Sequence, residues 1–278
     1  MKKFKNTTYR ISKLVTKQYS TSFFSASKLF DREIRSHIFN IYGFVRFADE
    51  IVDTFHAYDK EKLLTKFEND LYEALESAIS LNPILHAFQD TANTFNIPHD
   101  YMRAFLKSMR FDLNKTHYIN RQEFESYIYG SAEVVGLMCL KIFCNEKEEL
   151  FDELKFSAVK LGSAFQKVNF LRDLKNDTEN LGRSYFPESA DKPFDDDVKE
   201  SIVQDIEKDF ETAAEGIKKL PKNSKLAVYT AFLYYTALLK KIKKTKADII
   251  VSKRIRVSNF RKILLMVEAY TKYKLKLI

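Results

Sequence analysis

The chain has 278 residues with six glycines, five prolines and 45% hydrophobic residues, which excludes a disordered or collagen-like chain and predicts one compact domain over residues 1–278. No run of about eighteen apolar residues occurs, so we expect no membrane span, and the basic segment 1–17 lacks the apolar core of a secretion signal. The net charge of +8 is uneven, because residues 240–278 carry thirteen Lys and Arg against only two acidic residues.

Helical periodicity dominates the chain, and Pro and Asn-Pro breakers separate the predicted helices. These helices span residues 20–28, 32–56, 60–80, 84–94, 99–112, 121–144, 148–178, 196–219, 222–245 and 257–276. We expect loops at 111–120 and between Pro187 and Pro193. The predicted fold class is therefore all-α, a helical bundle whose 24 Phe and 15 Tyr would suit a deep apolar cavity.

A first acidic face lies near the end of the second predicted helix. Asp49 and Asp53 are four residues apart, which places both carboxylates on one helix face, and Tyr42 and Arg46 share that face. Two carboxylates one turn apart repel each other unless a cation lies between them, and they are good ligands for Mg²⁺. Taken alone, this spacing is more typical of a solvated helix surface.

A second polar stripe changes that balance. Gln166, Asn169, Asp173 and Asp177 are spaced by three, four and four residues, so they project within one narrow sector of a long helix. Amides and carboxylates in an otherwise apolar helix need a partner, which is either bulk water or a bound cation. Two such stripes on separate helices favour a cluster of Mg²⁺ ions that binds an anionic leaving group.

Other residue types offer no competing site. The five histidines are scattered, and each is better explained as structural. The two cysteines, Cys139 and Cys144, lie in an apolar stretch, which predicts reduced, buried thiols and a cytoplasmic protein.

The basic segment 240–278 has several interpretations. It could bind nucleic acid, an anionic membrane surface or a phosphorylated substrate. A solvated helix face explains the same charges equally well.

Four segments together resemble the squalene/phytoene synthase family. Leu161 to Pro187 resembles its second signature throughout, including Gly182-Arg183-Ser184-Tyr185-Phe186-Pro187, and Tyr42 to Asp53 resembles its first aspartate motif. Tyr19 to Phe24 is similar to its Ser-x-Ser-Phe segment. Tyr127 to Gly136 resembles a further signature, except that Ile128 and Glu133 replace smaller residues. The resemblance covers roughly residues 14–265 and implies an isoprenoid synthase bundle around a central cavity.

The resemblance also implies roles for individual residues. The metal ligands would be Asp49, Asp53, Asn169, Asp173 and Asp177, with Mg²⁺ as cofactor or Mn²⁺ in its place. Tyr129 would act with the four aspartates in catalysis and face the reacting carbons. The diphosphate groups would be bound by Ser20, Ser22, Tyr42, Arg46, Gln166, Asn169, Arg172 and Arg254.

The implied reaction is head-to-head condensation of two geranylgeranyl diphosphates to phytoene, through a cyclopropylcarbinyl diphosphate. Squalene or dehydrosqualene synthesis from farnesyl diphosphate uses the same metal motifs and stays open. A terpene cyclase is disfavoured by the match from Leu161 to Pro187. A non-catalytic assembly factor of the same fold is disfavoured because all four aspartates are present.

The implied partners follow from this chemistry. We expect geranylgeranyl or farnesyl diphosphate as substrate and no nucleic acid. Because the product would be an insoluble hydrocarbon, we also expect the basic segment 240–278 to contact the inner membrane surface.

Overall fold

The computed structural model describes residues 1–179, 181–189 and 192–278, and these form an all-α structure. The helices are α1 (Lys2–Tyr19), α2 (Thr21–Ser27), α3 (Arg32–Thr54), α4 (Lys60–Ser77), α5 (Pro83–Thr94), α6 (His99–Asn114), α7 (Arg121–Ile128), α8 (Val134–Cys144), α9 (Glu148–Glu179), α10 (Asp196–Lys219), α11 (Lys222–Lys243), α12 (Ala247–Ser252) and α13 (Asn259–Lys274). Within the described ranges the only β-type pairing is an isolated bridge between His117 and Ser184. The all-α prediction is thereby confirmed.

Most predicted helices agree with the structure to within a few residues, with four corrections. α1 and α12 were not predicted, and α6 continues to Asn114, so the predicted loop at 111–120 begins only at 115. The predicted helix 121–144 contains a π-helical turn, Tyr129–Glu133. Of the predicted loop between Pro187 and Pro193, residues 190 and 191 lie outside the described residues.

Side chains in the sequence define several helix starts. The Asn82 side chain accepts from the backbone N–H of Ile84 at 3.0 Å, and Pro83 then occupies the first helical position of α5. Ser258 caps α13 in the same way by accepting from the N–H of Arg261 at 3.2 Å. These caps satisfy backbone donors that have no partner within the helix.

Two large apolar clusters form the core. The first joins α3, α4, α5, α6 and α8, where Phe44 stacks on Phe88 with ring centroids 4.0 Å apart. The second joins α7, α10, α11 and the C-terminal half of α9. The 32-residue helix α9 contributes Phe151 and Leu154 to the first cluster and Val168 and Leu171 to the second. It therefore connects the two halves of the molecule.

The continuous helical segment Arg121–Cys144 is, within the described residues, long and apolar enough to cross a membrane by length and composition. More than half of its apolar window, 56%, is buried in the protein, and a core helix passes the same test. Its π-turn packs closely on α6, because a Cβ added at Gly130 would lie 2.4 Å from the carbonyl oxygen of Ala104. We therefore interpret the segment as a core helix.

The cysteines are free, as predicted, and Cys144 is buried whereas Cys139 is partly exposed. Burial raises the pKa of the Cys144 thiol to about 11, so it stays protonated and unreactive at neutral pH.

Candidate active site

The first aspartate pair lies on the last two turns of α3. Arg46 Nη1 donates to Asp49 Oδ2 at 2.6 Å, and its other terminal nitrogen donates to Glu50. The Arg46 guanidinium also lies over the ring of Tyr19, 4.5 Å from its centroid. Asp49 and Asp53 keep 34% and 28% of their side-chain surface exposed, so both carboxylates are partly accessible to solvent.

The second polar stripe lies on the C-terminal half of α9. Asn169 Oδ1 accepts from the Tyr235 hydroxyl at 3.1 Å, and Asp173 contacts its neighbour Arg172. Arg254 reaches Asp173 from the segment after α12, with Nε 2.6 Å from Oδ1. Asn169, Asp173 and Arg254 were all predicted from the sequence, and the fold places these three side chains at this face of α9.

Arg183 joins the two aspartate pairs. Its Nη1 lies 2.7 Å from Asp53 Oδ1 on α3, while its backbone N–H donates to the carbonyl of Asp177 on α9 at 2.7 Å. Its Nη2 donates to the carbonyl of Asp112 at 2.8 Å. This buried guanidinium therefore fixes the C-terminal ends of α3, α6 and α9 around one site.

The carboxylates oppose one another's ionisation. Burial, followed by repulsion from Asp53, raises the pKa of Asp49 to about 7, although Arg46 opposes the shift. Burial, followed by repulsion from Asp173, raises the pKa of Asp177 to about 7, and Asp53 on the facing helix adds to it. That mutual effect places the two pairs within electrostatic reach of each other.

The donor set fits magnesium ions bound together with a diphosphate. In the described residues no group of three acidic, His or Cys side chains converges as a ready-made metal site, and arginines contact Asp49, Asp53 and Asp173. All the candidate ligands are hard oxygen donors of the kind Mg²⁺ prefers alongside substrate phosphate. A cation between the pairs would also relieve the repulsion that raises the pKa of Asp49 and Asp177.

A basic rim adjoins the aspartates. Lys262 of α13 donates to Ser22 Oγ of α2 at 2.6 Å. Burial, followed by the positive charges of Arg172 and Arg256, lowers the pKa of Lys262, so these cations are close together. Clustered cations of this kind stabilise a multiply charged anion.

Other predicted residues occupy distinct places. Ser20 is the N-cap of α2, where its side chain accepts from the N–H of Phe23. Tyr42 stacks on Phe23 at a centroid distance of 5.0 Å. Gln166 is half-buried on the same helix as Asn169.

Tyr129 lies in the π-turn and is 42% exposed. Besides burial, the groups that raise the pKa of its hydroxyl are Glu133 and Asp100, and none of the four aspartates is among them. Among the described residues no hydrogen bond joins Tyr129 to any of the four aspartates, and its catalytic role stays a prediction.

Four residues of the site were not identified from the sequence: Asp112, Arg183, Tyr235 and Lys262. Asp112 is 8% exposed and accepts from the Tyr127 hydroxyl at 2.8 Å. It follows Phe105 and Met109 on the buried face of α6, and a carboxylate in such a series signals a polar site. Arg183 lies in the family motif at residues 182–187, but no role was predicted for it. No local sequence feature distinguished Lys262 from the other lysines.

Comparisons with known proteins find related sequences along most of the chain. Residues 16–261 match the family profile described as squalene/phytoene synthase. The chain is 27% identical over 281 residues to a phytoene synthase from Arthrospira platensis, covering 92% of this chain and 90% of that protein. It is 28% identical over 240 residues to a 15-cis-phytoene synthase from Pantoea ananas, covering 78% and 76%. It is 29% identical over 276 residues to chloroplastic phytoene synthase 1 from Zea mays, covering 93% of this chain and 67% of that protein.

Solved structures show the same fold. A dehydrosqualene synthase crystallised with a ligand superimposes with a TM-score of 0.81 at 22% identity, covering 97% of this chain and 98% of that one. The squalene synthase HpnC from Alicyclobacillus acidocaldarius gives a TM-score of 0.75 at 22% identity, covering 86% and 94%.

Proposed function

The chain belongs to the squalene/phytoene synthase family, and we propose that it condenses two geranylgeranyl diphosphates head to head to phytoene in a Mg²⁺-dependent reaction. Family membership and the phytoene synthase relatives identify it as an enzyme of the prenyltransferase type, in isoprenoid and carotenoid biosynthesis. The choice of geranylgeranyl diphosphate rests on those relatives. The observation that carries the proposal is the convergence of two aspartate pairs through Arg183.

The residues of α3 and α9 would hold the metal. Asp49 and Asp53 on one side, with Asn169, Asp173 and Asp177 on the other, would be its ligands. When bound, Mg²⁺ would neutralise the diphosphate oxygens and so make the group a better leaving group. Manganese, with the same preference for oxygen, could replace it.

The arginines would exchange partners when substrate binds. Arg46, Arg172 and Arg254 now contact Asp49 and Asp173, and each can turn its guanidinium to phosphate oxygens once a cation takes over the carboxylates. Ser20, Ser22, Tyr42 and Gln166 would add hydrogen bonds to the same anion.

The organic steps break the carbon–oxygen bonds to diphosphate and form carbon–carbon bonds between the two chains. Loss of one diphosphate gives an allylic cation, which the double bond of the second chain attacks. Loss of a proton from the resulting cation then closes the three-membered ring of a cyclopropylcarbinyl diphosphate. A second loss of diphosphate, rearrangement and release of a proton give the linear product. Apolar walls must exclude water from the cation, and aromatic faces such as Phe23 beside Tyr42 stabilise positive charge by about 1–2 kcal/mol.

We also propose a cytoplasmic enzyme that contacts the inner membrane surface through the basic segment 240–278. Its hydrocarbon product would be insoluble in water and would need to enter a membrane. Each Lys or Arg near an anionic membrane surface contributes about 1 kcal/mol to binding.

Product analysis tests the reaction. The enzyme is incubated with Mg²⁺ and either geranylgeranyl or farnesyl diphosphate, each with and without NADPH. A forty-carbon product that is indifferent to NADPH supports phytoene synthesis. A thirty-carbon product instead assigns dehydrosqualene or, with NADPH dependence, squalene synthesis.

Two variants on one helix separate catalysis from folding. Asp173→Asn should abolish the product, whereas Asp152→Asn, an exposed position near the start of α9, should leave it unchanged. No coupled product from either substrate with the wild-type enzyme would refute the enzymatic assignment and favour an assembly factor.

A further inference from the structure

The outward face of α13 is apolar and exposed. The face consists of Phe260, Ile263, Leu264, Val267 and Tyr270, which are 71%, 54%, 42%, 57% and 51% exposed. At about 100° per residue these side chains fall within an arc of roughly 120° on one side of the helix. We call these five residues the α13 outer face.

The opposite side of the same helix is packed normally. Leu265 and Ala269 are buried, and Leu265 packs against Tyr234 of α11. The helix therefore has two apolar faces, of which the described part of the protein covers one. Single exposed apolar residues are ordinary, but five on one face of one helix mark an interaction surface.

The charges around the α13 outer face are almost all positive. Residues 253–278 contain eight Lys and Arg and one acidic residue, Glu268. A groove of about 410 Å³ between α11 and α13 adds cations beside the face, with Lys240, Lys241 and Arg261 in its lining. An apolar stripe bordered by cations has the composition of a helix that lies in a lipid interface.

The helix also adjoins the candidate active site. Lys262, at its N-terminal end, donates to Ser22 at 2.6 Å, and Arg254, just before it, contacts Asp173 at 2.6 Å. A surface that binds α13 is thus next to the place where prenyl diphosphates are proposed to react.

We propose that the α13 outer face inserts into the interface of a bilayer containing anionic lipids, with the flanking cations on the headgroups. This deepens, and rests on, the membrane contact proposed above, and it names the helix and side chains that make that contact. A bilayer fits better than a second copy of the chain, because a symmetric contact through this face would bring two strongly positive segments together. The negative headgroups of a bilayer attract the same charges.

Vesicle co-sedimentation tests the surface without using catalysis. Wild-type protein is mixed with vesicles of phosphatidylcholine alone or of phosphatidylcholine with phosphatidylglycerol, so that only the second set carries the anionic headgroups that attract polybasic segments. We expect binding to the anionic vesicles and at least tenfold weaker binding for Val267→Asp. The control Leu81→Asp changes a side chain that is 93% exposed on another part of the surface and should bind as the wild type does.

A fluorescence reporter tests insertion directly. The chain has no tryptophan, so Val267→Trp gives a single-tryptophan protein. Anionic vesicles should shift its emission to the blue and brominated lipid should quench it, whereas Leu81→Trp should show neither change. Equal vesicle binding by wild type and Val267→Asp would overturn the proposal, as would a lipid-free dimer that Val267→Asp converts to a monomer. Neither result depends on whether the enzyme makes phytoene.

Discussion

The guanidinium of Arg183 lies 2.7 Å from the carboxylate of Asp53, a residue 130 positions earlier in the chain. Arg183 is 6% exposed, and the same side chain approaches Asp112 and the Tyr185 hydroxyl. Burial raises the pKa of Asp112 to about 7, and the positive charge of Arg183 is the largest effect that opposes this rise. The contact therefore compensates buried negative charge and also orients one of the site aspartates.

Replacing this arginine should destabilise the fold. Arg183→Gln removes the cation and leaves a shorter polar side chain, so Asp53 and Asp112 lose their common partner. Breaking a buried ion pair typically costs about 3–5 kcal/mol, and we expect about 2–4 because Asp53 is partly exposed. Urea denaturation measures the change.

The control for this prediction is Arg103→Gln. Arg103 pairs with Asp100 at the surface, where their side chains are 59% and 79% exposed. Fully exposed pairs of this kind contribute little to stability, because solvent screens their attraction. Equal losses in the two variants would show that Arg183 is not a structural centre.

Gly130 should tolerate no side chain. A Cβ there would lie 2.1 Å from Ser108 Oγ and 2.4 Å from the Ala104 carbonyl oxygen, and the backbone atom cannot move aside. Gly130→Ala should therefore cost about 3 kcal/mol or more, the upper part of the overpacking range. In Gly43→Ala the new Cβ would meet only side-chain atoms, of Ile84 at 3.3 Å and of Ser12 at 3.4 Å. We expect that control to stay within about 1 kcal/mol of wild type in the same urea assay; similar losses would contradict the close packing of the π-turn.

Sequence periodicity predicted the long helices well but missed α1 for a specific reason. Its fully buried residues are Thr8, Ser12 and Thr16, which are polar, while the apolar Phe4, Ile11 and Val15 beside them are only half-buried. The centre of the face that packs on α3 and α5 therefore carries no apolar signal. Small hydroxyl side chains allow close helix contact, and the Ser12 hydroxyl would lie 3.4 Å from a Cβ at Gly43. Hydrophobic pattern alone cannot report such an interface.

The candidate site was predictable where its residues share one helix face. The spacing of Asp49 with Asp53, and of Asn169 with Asp173 and Asp177, located both stripes. The contact of Arg183 with Asp53 was not predictable, because it depends on how a loop after α9 folds back on α3. Residue spacing predicts which side chains share a helix face, whereas contacts between distant segments can be seen only in the tertiary fold.

Stability should fall in mild acid because of His37. Burial lowers the pKa of His37 from 6.5 to about 4, while Asp90 opposes the shift and Lys5 adds to it. The ring also contacts Thr91 Oγ1 at 2.9 Å and the hydroxyl of Tyr9. Between these pKa values the unfolded chain binds the proton and the folded one does not, so this stabilisation is complete above pH 6.5 and is lost as the pH falls towards 4.

Comparison of variants isolates this contribution. A shift of this size corresponds to at most about 3 kcal/mol, and we expect about half because the ring is partly exposed. The difference in unfolding free energy between wild type and His37→Gln should therefore be smaller at pH 4.5 than at pH 7.5. His117→Gln, at an exposed position, should show a constant difference. A pH-independent difference for His37→Gln would contradict the assignment.

Magnesium with inorganic diphosphate should stabilise the folded protein, because the four aspartates come together only in that state. At one hundred times the dissociation constant the gain is about 2.7 kcal/mol, measured as a rise in Tm that EDTA reverses. Asp177→Asn removes a carboxylate whose raised pKa reflects burial and its neighbour Asp173, so the variant should lose most of the ligand-induced rise whatever its own starting Tm. Asp152→Asn, on the same helix, should keep it.

Neither ion alone should match the pair, because the arginines contacting Asp49, Asp53 and Asp173 need an anion to release those carboxylates to a metal. A full rise in Asp177→Asn would exclude this aspartate from the metal site.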